Sequence, residues 1–398
     1  MSHRSVATAD ASIADLLPDL VALRRDLHAH PELAFAERRT AGIAAQAMRA
    51  LGLEVHEGIA GTGVVASLRC GHSTRSVGLR ADMDALPMVE LGSGAYTSRH
   101  RGAHHGCGHD GHISMLIGAA RQLARTRRFD GTVHFIFQPA EEGKGGARAM
   151  LEAGLLERFP CDAVFALHNW PDLPLGHAQT RAGPIMAAAD RFDIVLRGRG
   201  GHAAQPHHTP DAILAAGQLV TQLHTIVSRR IDPALSAVLS VTRIEGGQSH
   251  NVLPMEVRLT GTVRSFDPDV QDRIEAALRA TVEGVALANG IAADVDYVRY
   301  YPATINSAAQ AELALAAARA VGLRAEVAPH PAFTSEDFAF ILQRCPGAYL
   351  WLGQGRADPG PDGERSLHHP CYDFNDDALP LGVRWFCEVA QRSLTNES

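Results

Sequence analysis

Residues 133–143 read VHFIFQPAEEG, a short apolar run that is followed at once by a proline, two acids and a glycine. Comparable apolar runs occur at residues 64–68, 77–79 and 163–167. Stretches with helical character lie between these runs, for example at residues 113–124 and 146–153. Short buried strands that alternate with helices are typical of an α/β sheet. The sequence therefore predicts an α/β fold.

The pattern of apolar residues changes after residue 184. Phe192, Ile194 and Leu196 alternate with polar residues, which is typical of a strand with one solvated face. We therefore predict a compact α+β domain at residues 185–300. It would interrupt a first domain made of residues 1–184 and 301–398, because 398 residues exceed the size that one hydrophobic core usually accommodates.

The composition and charge favour a globular protein with a small-molecule partner. Hydrophobic residues make up 46% of the chain and charged residues 20%, as in an ordinary globular protein. A net charge of −7 argues against a nucleic acid or an anionic membrane as the partner, since both attract basic surfaces. The 21 histidines are bunched at residues 100–112, 202–208 and 368–369, which suggests metal binding or acid–base chemistry.

Two features predict a cytoplasmic location. Residues 1–19 lack a basic segment followed by an apolar stretch, and no run of about 18 apolar residues occurs anywhere in the chain. The six cysteines are scattered without close pairing, which favours reduced thiols over a disulfide framework. We therefore expect no membrane partner.

Five segments are rich in the side chains that bind metals. In open α/β sheets, ligands bind beyond the carboxyl ends of the strands, and most of these segments directly follow a predicted strand. We therefore expect them to converge although they are far apart in sequence. They are Asp82-Met83-Asp84, Cys107-Gly108-His109-Asp110, Glu141-Glu142, His168 and His368-His369.

Each segment also has a structural interpretation. Asp82 and Asp84 fit a solvated turn, and His168 fits a buried core histidine. Cys107 lies between glycines, which favours a ligand over a core position. His112 is better explained as a structural residue.

Because Glu141 and Glu142 are adjacent in sequence, they can have different roles. Neighbouring side chains of an extended segment point in opposite directions. If these two residues are extended, one carboxylate binds a metal while the other faces the substrate as a general base.

Other catalytic motifs find no support. Residues 61–66 match the dinucleotide pattern G-x-G-x-x-A, but these glycines precede a predicted strand instead of following one. The chain has no G-x-x-x-x-G-K-[ST], G-x-S-x-G or H-E-x-x-H motif. Nucleotide-dependent, serine-hydrolase and zincin chemistries are therefore disfavoured.

Several motifs together resemble one family. They read RADMDALP at residues 80–87, GCGHDGH at 106–112, QPAEEG at 138–143, GGHAAQPH at 200–207, NVLP at 251–254, SEDF at 335–338 and LHHP at 367–370. This combination, which extends over nearly the whole chain, resembles the amidohydrolase branch of the carboxypeptidase-G-like and aminoacylase-like dinuclear metallopeptidases. That branch includes hippurate hydrolases, N-acyl-L-amino acid amidohydrolases and auxin-conjugate hydrolases.

The resemblance implies a mixed-sheet catalytic domain with helices on both faces, interrupted by a smaller two-layer α+β domain that serves as lid and dimerisation domain. It also implies a homodimer or higher homo-oligomer formed through that lid domain. Two divalent metal ions would be bound in each subunit, with zinc or manganese favoured and cobalt or nickel also compatible. The implied metal ligands are Cys107 as the bridge, His109 and His168 at one metal, and Glu142 and His369 at the other.

The same resemblance implies roles for four further residues. Glu141 would be the general base that activates a water shared by the metals, and Asp84 would orient a ligand. His202, in the lid domain, would stabilise the oxyanion and bind substrate, and Asn251 would also hold substrate. Compared with the commonest form of the family, Cys107 replaces a carboxylate and Asp82 replaces a histidine.

The implied activity is hydrolysis of the amide bond of N-acyl L-amino acids with an aromatic acyl or acetyl group. A dipeptidase or a deacetylase of the N-acetyl-diaminopimelate type is the nearest alternative. A different enzyme class would use Cys107 as a nucleophile with His109 or His168 as its base. A non-catalytic protein that binds a metal or ligand is the third possibility.

Overall fold

The computed structural model describes residues 13–356 and 365–395, which pack as two compact units. The first unit comprises Met1–Ile185, Ile305–His330 and Asp337–Ser398, as far as these are described, and the second comprises Met186–Thr304 and Pro331–Glu336. Residues 1–12, part of the stretch examined for a leader, lie outside the described residues. Within the described ranges, no helix combines the length and apolar character that crossing a bilayer requires.

The secondary structure alternates between strands and helices in the first half of the chain. The strands are β1 (Glu54–Ile59), β2 (Gly63–Cys70), β3 (Ser76–Asp82), β4 (Gly131–Gln138), β5 (Ala163–Pro174), β6 (His177–Thr180), β7 (Gly183–Met186), β8 (Ala188–Arg197), β9 (Gly201–His202), β10 (Ala237–Gly246), β11 (Val252–Leu253), β12 (Glu256–Ser265), β13 (Ala292–Tyr301), β14 (Thr304–Asn306), β15 (Arg324–Val327) and β16 (Gly347–Gly355). The helices are α1 (Leu17–Ala29), α2 (Arg38–Ala50), α3 (His109–Thr126), α4 (Glu141–Lys144), α5 (Gly146–Glu152), α6 (Leu155–Arg158), α7 (Ala212–Arg230), α8 (Pro268–Asn289), α9 (Ala308–Ala320), α10 (Ala339–Leu342) and α11 (Leu379–Leu394).

The first unit is built on an eight-stranded mixed sheet in the order β1-β2-β4-β3-β5-β16-β6-β15. Strand β3 is parallel to both β4 and β5, and β5 is parallel to β16. Strand β1 pairs antiparallel with β2, and β2 pairs antiparallel with β4. The parallel centre directs the carboxyl ends of β3, β4 and β5 to the same edge, where ligands bind in sheets of this kind.

Both faces of this sheet are buried. Phe135 of β4 belongs to the large core formed with α1, α2, α3, α9 and α11, whereas its neighbour Ile136 points to the opposite face, yet neither is exposed. Helix α5 contacts β4, and its Met150 lies outside that large core and is also fully buried. Strands covered on both sides need apolar residues at every position, which explains the continuous apolar runs. The predicted α/β fold with helices on both faces is confirmed.

The second unit is a two-layer α+β structure. Its antiparallel sheet has the order β10-β12-β8-β13, and α7 and α8 form one core with Phe192, Ile194 and Leu196. The alternate residues of β8, such as Arg191 and Asp193, remain partly exposed on the other face. The two-layer architecture predicted for this region is confirmed.

Candidate metal centre

A glycine places two candidate ligands at the start of α3. Gly108 has a left-handed backbone (φ 90°), and a Cβ atom there would lie 2.4 Å from Asn169 Oδ1 and 2.7 Å from the Tyr372 hydroxyl. Only glycine fits this conformation and this space. The turn holds Cys107 and His109 on either side of Gly108, and both of their side chains are buried.

The His109 ring is held so that one nitrogen has no partner. Its Nδ1 donates to the Asp84 carbonyl oxygen at 2.8 Å, so Nε2 is directed away from that contact. Among the described residues, the buried Nε2 has no hydrogen-bond partner, although Asp82 Oδ2 lies 3.7 Å away and Glu142 Oε1 3.9 Å away. A buried nitrogen without a partner is costly unless another group, such as a cation, contacts it.

Charge around His109 favours a cation at this position. Burial lowers the pKa of His109, but the nearby carboxylates, with Asp82 the largest contributor, outweigh it and raise the pKa to about 10. A divalent metal would replace the proton that these carboxylates attract.

Asp84 also fixes the turn that follows β4. Its Oδ1 accepts from the Glu141 N–H and its Oδ2 from the Glu142 N–H, each at 2.9 Å. The preceding Ala140 has a strained left-handed backbone (φ 55°), and its N–H donates to Glu37 Oε1 at 2.8 Å. The extended conformation predicted for this pair is therefore wrong for Glu141, which begins the short segment α4, whereas Glu142 has a non-helical backbone (φ −70°, ψ 79°). Asp84 draws the N–H groups of both residues to one carboxylate.

The Glu142 carboxylate points into the same cluster. Its Oε1 is buried without a hydrogen-bond partner among the described residues, 3.5 Å from His368 Nε2. Burial raises the pKa of Glu142, but His368 and His109 outweigh burial, so the net shift is downward. Glu142 is therefore held as an anion suited to a cation.

Cys107 and His168 form the opposite side of the cluster. The Cys107 Sγ lies 3.4 Å from His168 Nε2, and His168 Nδ1 donates to the Asn169 carbonyl oxygen at 2.7 Å. Burial and the carboxylates of Glu142 and Glu141 raise the pKa of Cys107 well above its usual value, and burial lowers that of His168. A nucleophilic cysteine needs a lowered pKa, so these shifts argue against that alternative. A metal would stabilise the thiolate directly.

The two adjacent histidines 368 and 369 have different environments. Cys107, Glu142 and His368 offer donor atoms that all lie within 4.8 Å of one another. His368 has a left-handed backbone (φ 65°), and its N–H donates to the Gly106 carbonyl at 2.8 Å. Both side chains are exposed, but the Nδ1 of His369 accepts the Cys371 N–H at 3.0 Å. Sequence reasoning chose His369 as the ligand, whereas the geometry favours His368.

The assembled side chains fit a pair of divalent cations. Donor atoms of Cys107, His109 and His168 lie within 4.8 Å of one another, and so do those of His109, Glu141 and Glu142. Two of these residues, His109 and Glu142, carry the buried polar atoms without hydrogen-bond partners described above. Sulfur, imidazole nitrogen and carboxylate oxygen are the ligands that zinc and related metals use.

A buried polar network supports these ligands. His112 Nδ1 lies 2.6 Å from Asp82 Oδ1 and its Nε2 lies 2.6 Å from Asn169 Oδ1, which agrees with the structural role expected for His112. Arg80 NH1 donates to Asp82 Oδ2 at 2.8 Å. Sequence reasoning missed two supporting residues, Asn169 within β5 and Glu37 just before α2, because a single polar residue has no pattern that sets it apart from a surface position.

The remaining predicted residues, His202 and Asn251, lie in the second unit. Strand β9 pairs with β11, and the Ala203 N–H donates to the Asn251 carbonyl oxygen at 3.0 Å. The Ala204 N–H donates to His202 Nδ1 at 3.1 Å, so Nε2 carries the proton of the neutral ring. His202 is exposed and therefore presents a hydrogen-bond donor to solvent.

Comparison with known proteins gives consistent matches over the chain. The sequence profile described as peptidase family M20/M25/M40 matches residues 78–392. N-acetylcysteine deacetylase of Bacillus subtilis is 38% identical over 376 residues, which cover 93% of this chain and 96% of the relative. Hippurate hydrolase of Campylobacter jejuni is 36% identical over 96% of this chain and 98% of its own length. A solved dinuclear metal-binding peptidase of the M20 family from Bacillus subtilis superposes with a TM-score of 0.83 at 34% identity, covering 96% of this chain and 99% of that one.

Proposed function

Because this chain belongs to peptidase family M20/M25/M40, we propose that it hydrolyses the amide bond of N-acyl L-amino acids, releasing a carboxylic acid and a free amino acid. Relatives named N-acetylcysteine deacetylase and hippurate hydrolase support an acetyl or aromatic acyl group. The observation that carries the proposal is the buried cluster in which His109, Glu141 and Glu142 offer donor atoms within 4.8 Å. Such a cluster provides metal ligands and a carboxylate for acid–base work in one place.

Two divalent metals would be held by Cys107 as the bridging ligand, with His109 and His168 at one ion and Glu142 and a histidine of the 368–369 pair at the other. We take His368 in place of His369, because His368 Nε2 lies 3.5 Å from Glu142 Oε1. When bound, such metals polarise the amide carbonyl and lower the pKa of water. The thiol of Cys107 favours zinc among the candidate metals, with manganese, cobalt and nickel as alternatives.

Glu141 is proposed as the proton carrier. Its carboxylate accepts a proton from the water that attacks the carbonyl carbon, and it returns that proton to the amine as the C–N bond breaks. Asp84 acts through Glu141 and Glu142, whose N–H groups it holds at 2.9 Å. It is therefore a positioning residue.

His202 and Asn251 are proposed to act on the substrate from the second unit. The proton on His202 Nε2 suits a donor to the oxyanion that forms during attack. From the family resemblance, we also propose a homodimer or higher homo-oligomer that forms through this unit. His202 would then act either in its own subunit or in a neighbouring one. A cytoplasmic location is supported by the six cysteines, all of which are free thiols.

A substrate panel tests the activity. The metal-stripped protein is reconstituted separately with zinc, manganese, cobalt and nickel, and each form is assayed on hippurate, N-acetyl amino acids, dipeptides and N-acetyl-diaminopimelate. We expect hydrolysis of N-acyl amino acids that disappears with a chelator and returns with metal. Preference for dipeptides or for the diaminopimelate derivative would replace the substrate assignment, and activity that a thiol reagent abolishes but a chelator spares would reject the metal mechanism.

A further inference from the structure

A second cluster of metal-type ligands lies among residues that have no role in the proposed reaction. It consists of His28 on α1, and of Glu90 and His104 in the segment between β3 and α3, here called the His28 cluster. Donor atoms of all three lie within 4.8 Å of one another. Their side chains are buried, with relative exposures of 1% for His28, 7% for Glu90 and 0% for His104. Three potential ligands therefore converge where water has little access.

The contacts of Glu90 in the His28 cluster are a long hydrogen bond to His28 and a slightly longer ion-pair contact to His104. Glu90 Oε1 lies 3.4 Å from His28 Nε2, and Glu90 Oε2 lies 3.5 Å from His104 Nδ1. A hydrogen bond between a charged imidazole and a carboxylate is shorter, about 2.7–2.9 Å. Ligands that bind one tetrahedral zinc at about 2.0–2.1 Å lie about 3.3 Å from each other. The observed separations are close to this value, and because they involve the two different oxygens of Glu90, a cation here would contact both oxygens of the carboxylate.

His104 supplies independent support for a ligand at this position. Both of its ring nitrogens are buried without a hydrogen-bond partner among the described residues. Leaving a buried polar group unsatisfied costs about 1–3 kcal/mol. A cation bound to Nδ1 would satisfy one of these atoms and would also contact Glu90.

The three ligands are already oriented by neighbouring groups. His28 Nδ1 lies 2.8 Å from Asp110 Oδ2, which leaves Nε2 facing Glu90. A carboxylate behind a histidine is a common arrangement around zinc, because it fixes the ring and makes the coordinating nitrogen more basic.

The backbone around the other two ligands is also fixed. Glu90 Oε2 accepts the Ser98 N–H at 2.6 Å. His104 exchanges two backbone hydrogen bonds with Leu86, each at 3.0 Å. Little rearrangement is needed to bind an ion.

An ion-pair network without metal explains less. In that case a protonated His28 would pair with Asp110 Oδ2 at 2.8 Å and with Glu90 Oε1 at 3.4 Å. This arrangement satisfies His28, but it leaves His104 with only a 3.5 Å contact to Glu90 and with no hydrogen bond among the described residues. A divalent cation would take the place of the His28 proton and include His104.

We propose that His28, Glu90 and His104 bind a third divalent cation of the zinc type, separate from the two proposed for catalysis. Because its ligands come from α1 and from the segment that leads to Cys107, the ion would join these parts of the first unit. Its role is structural, and the proposal does not depend on the proposed reaction.

Metal counting tests this proposal. The metal-stripped full chain is titrated with zinc alone, and bound zinc per chain is measured by native mass spectrometry for the unmodified protein and for Glu90→Gln and His104→Ala. The matched control is His100→Ala, which removes an exposed histidine of the same segment. We expect Glu90→Gln and His104→Ala to bind one zinc fewer than the unmodified protein and His100→Ala.

Equal zinc counts in all four proteins would overturn the proposal. Glu90→Gln changes no volume, so it keeps the test valid if His104→Ala fails to fold. Glu142→Ala separates the two sites, because it removes a ligand proposed for catalysis and leaves the His28 cluster intact. In that background, adding His104→Ala should remove one further zinc.

Discussion

The sheets of the two units differ in how many of their faces are covered. In the first unit, neighbouring residues of β4 such as Phe135 and Ile136 point to opposite faces, and both are fully buried. In the second unit, Ile194 of β8 is fully buried whereas its neighbour Asp193 is partly exposed. A sheet covered on both faces offers its strand ends and loops for chemistry, and the candidate metal ligands lie there. A sheet with one open face has charged residues available along its strands.

The largest effect is expected at the strand ends of the first unit. Glu141→Gln should lower kcat on an N-acyl amino acid by roughly 10²–10⁴-fold, because it removes the proposed proton carrier. Metal content, measured by inductively coupled plasma mass spectrometry, should not change. Glu152→Gln, at an exposed position of α5, is the matched control and should keep full activity. Near-normal turnover of Glu141→Gln would reject its assignment as base.

Alanine substitutions of neighbouring strand residues test the difference in coverage. Phe135→Ala and Ile136→Ala should each destabilise the first unit, by about 3–5 and 2–5 kcal/mol, because both leave cavities. In the second unit, Ile194→Ala should cost about 2–5 kcal/mol.

Asp193, the partly exposed neighbour of Ile194, provides the comparison. Asp193→Asn should change the free energy of unfolding by less than about 1 kcal/mol. Denaturant unfolding followed by circular dichroism measures all four changes. If Ile136→Ala proved as mild as Asp193→Asn, the first sheet would have only one structurally important face.

A smaller effect is expected from the second unit on catalysis. His202→Ala should lower kcat by roughly 10²–10³-fold if His202 donates to the oxyanion. Its metal content should stay unchanged, since the proposed metal ligands belong to the first unit. His208→Ala removes another exposed histidine nearby in sequence and should have no effect. Loss of metal from His202→Ala would contradict the proposal that the first unit binds the metals while the second acts only on the substrate.

The smallest effect concerns the choice between two adjacent histidines. His368→Ala should weaken binding of one metal at least about tenfold, because it removes the donor beside Glu142. His369→Ala should leave metal affinity nearly unchanged, since its Nδ1 is engaged with the Cys371 N–H. Competition with a metal-binding dye measures both affinities. The reverse result would restore His369 as the ligand.

The sequence predicted the covered strands of the first sheet better than the strand at its edge. The apolar runs correspond to β2, β3, β4 and β5, which are buried over most of their length. Strand β1 was not predicted, because as an edge strand it is largely exposed and its residues EVHEGI carry no continuous apolar signal. Strand β13 of the second sheet was not predicted either, because its residues AADVDYVRYY also lack a continuous apolar run.

Residue types at the strand ends were enough to nominate most of the candidate site. The proposed change from His369 to His368 could not be made from the sequence, since it rests on the left-handed backbone at His368 (φ 65°). The turn at Glu141 was also missed, because it depends on Asp84, whose carboxylate comes from a distant segment. Both features arise from backbone conformation and long-range contacts instead of local composition.

Asp84 contacts both halves of the proposed metal pair. Its carbonyl oxygen holds His109 and its carboxylate holds the Glu142 N–H, and these two residues are proposed to serve different ions. An ion that orders one of these ligands would therefore lower the entropic cost of ordering the other. The two ions should accordingly bind with positive cooperativity. A metal titration would then give a binding isotherm steeper than that of independent sites.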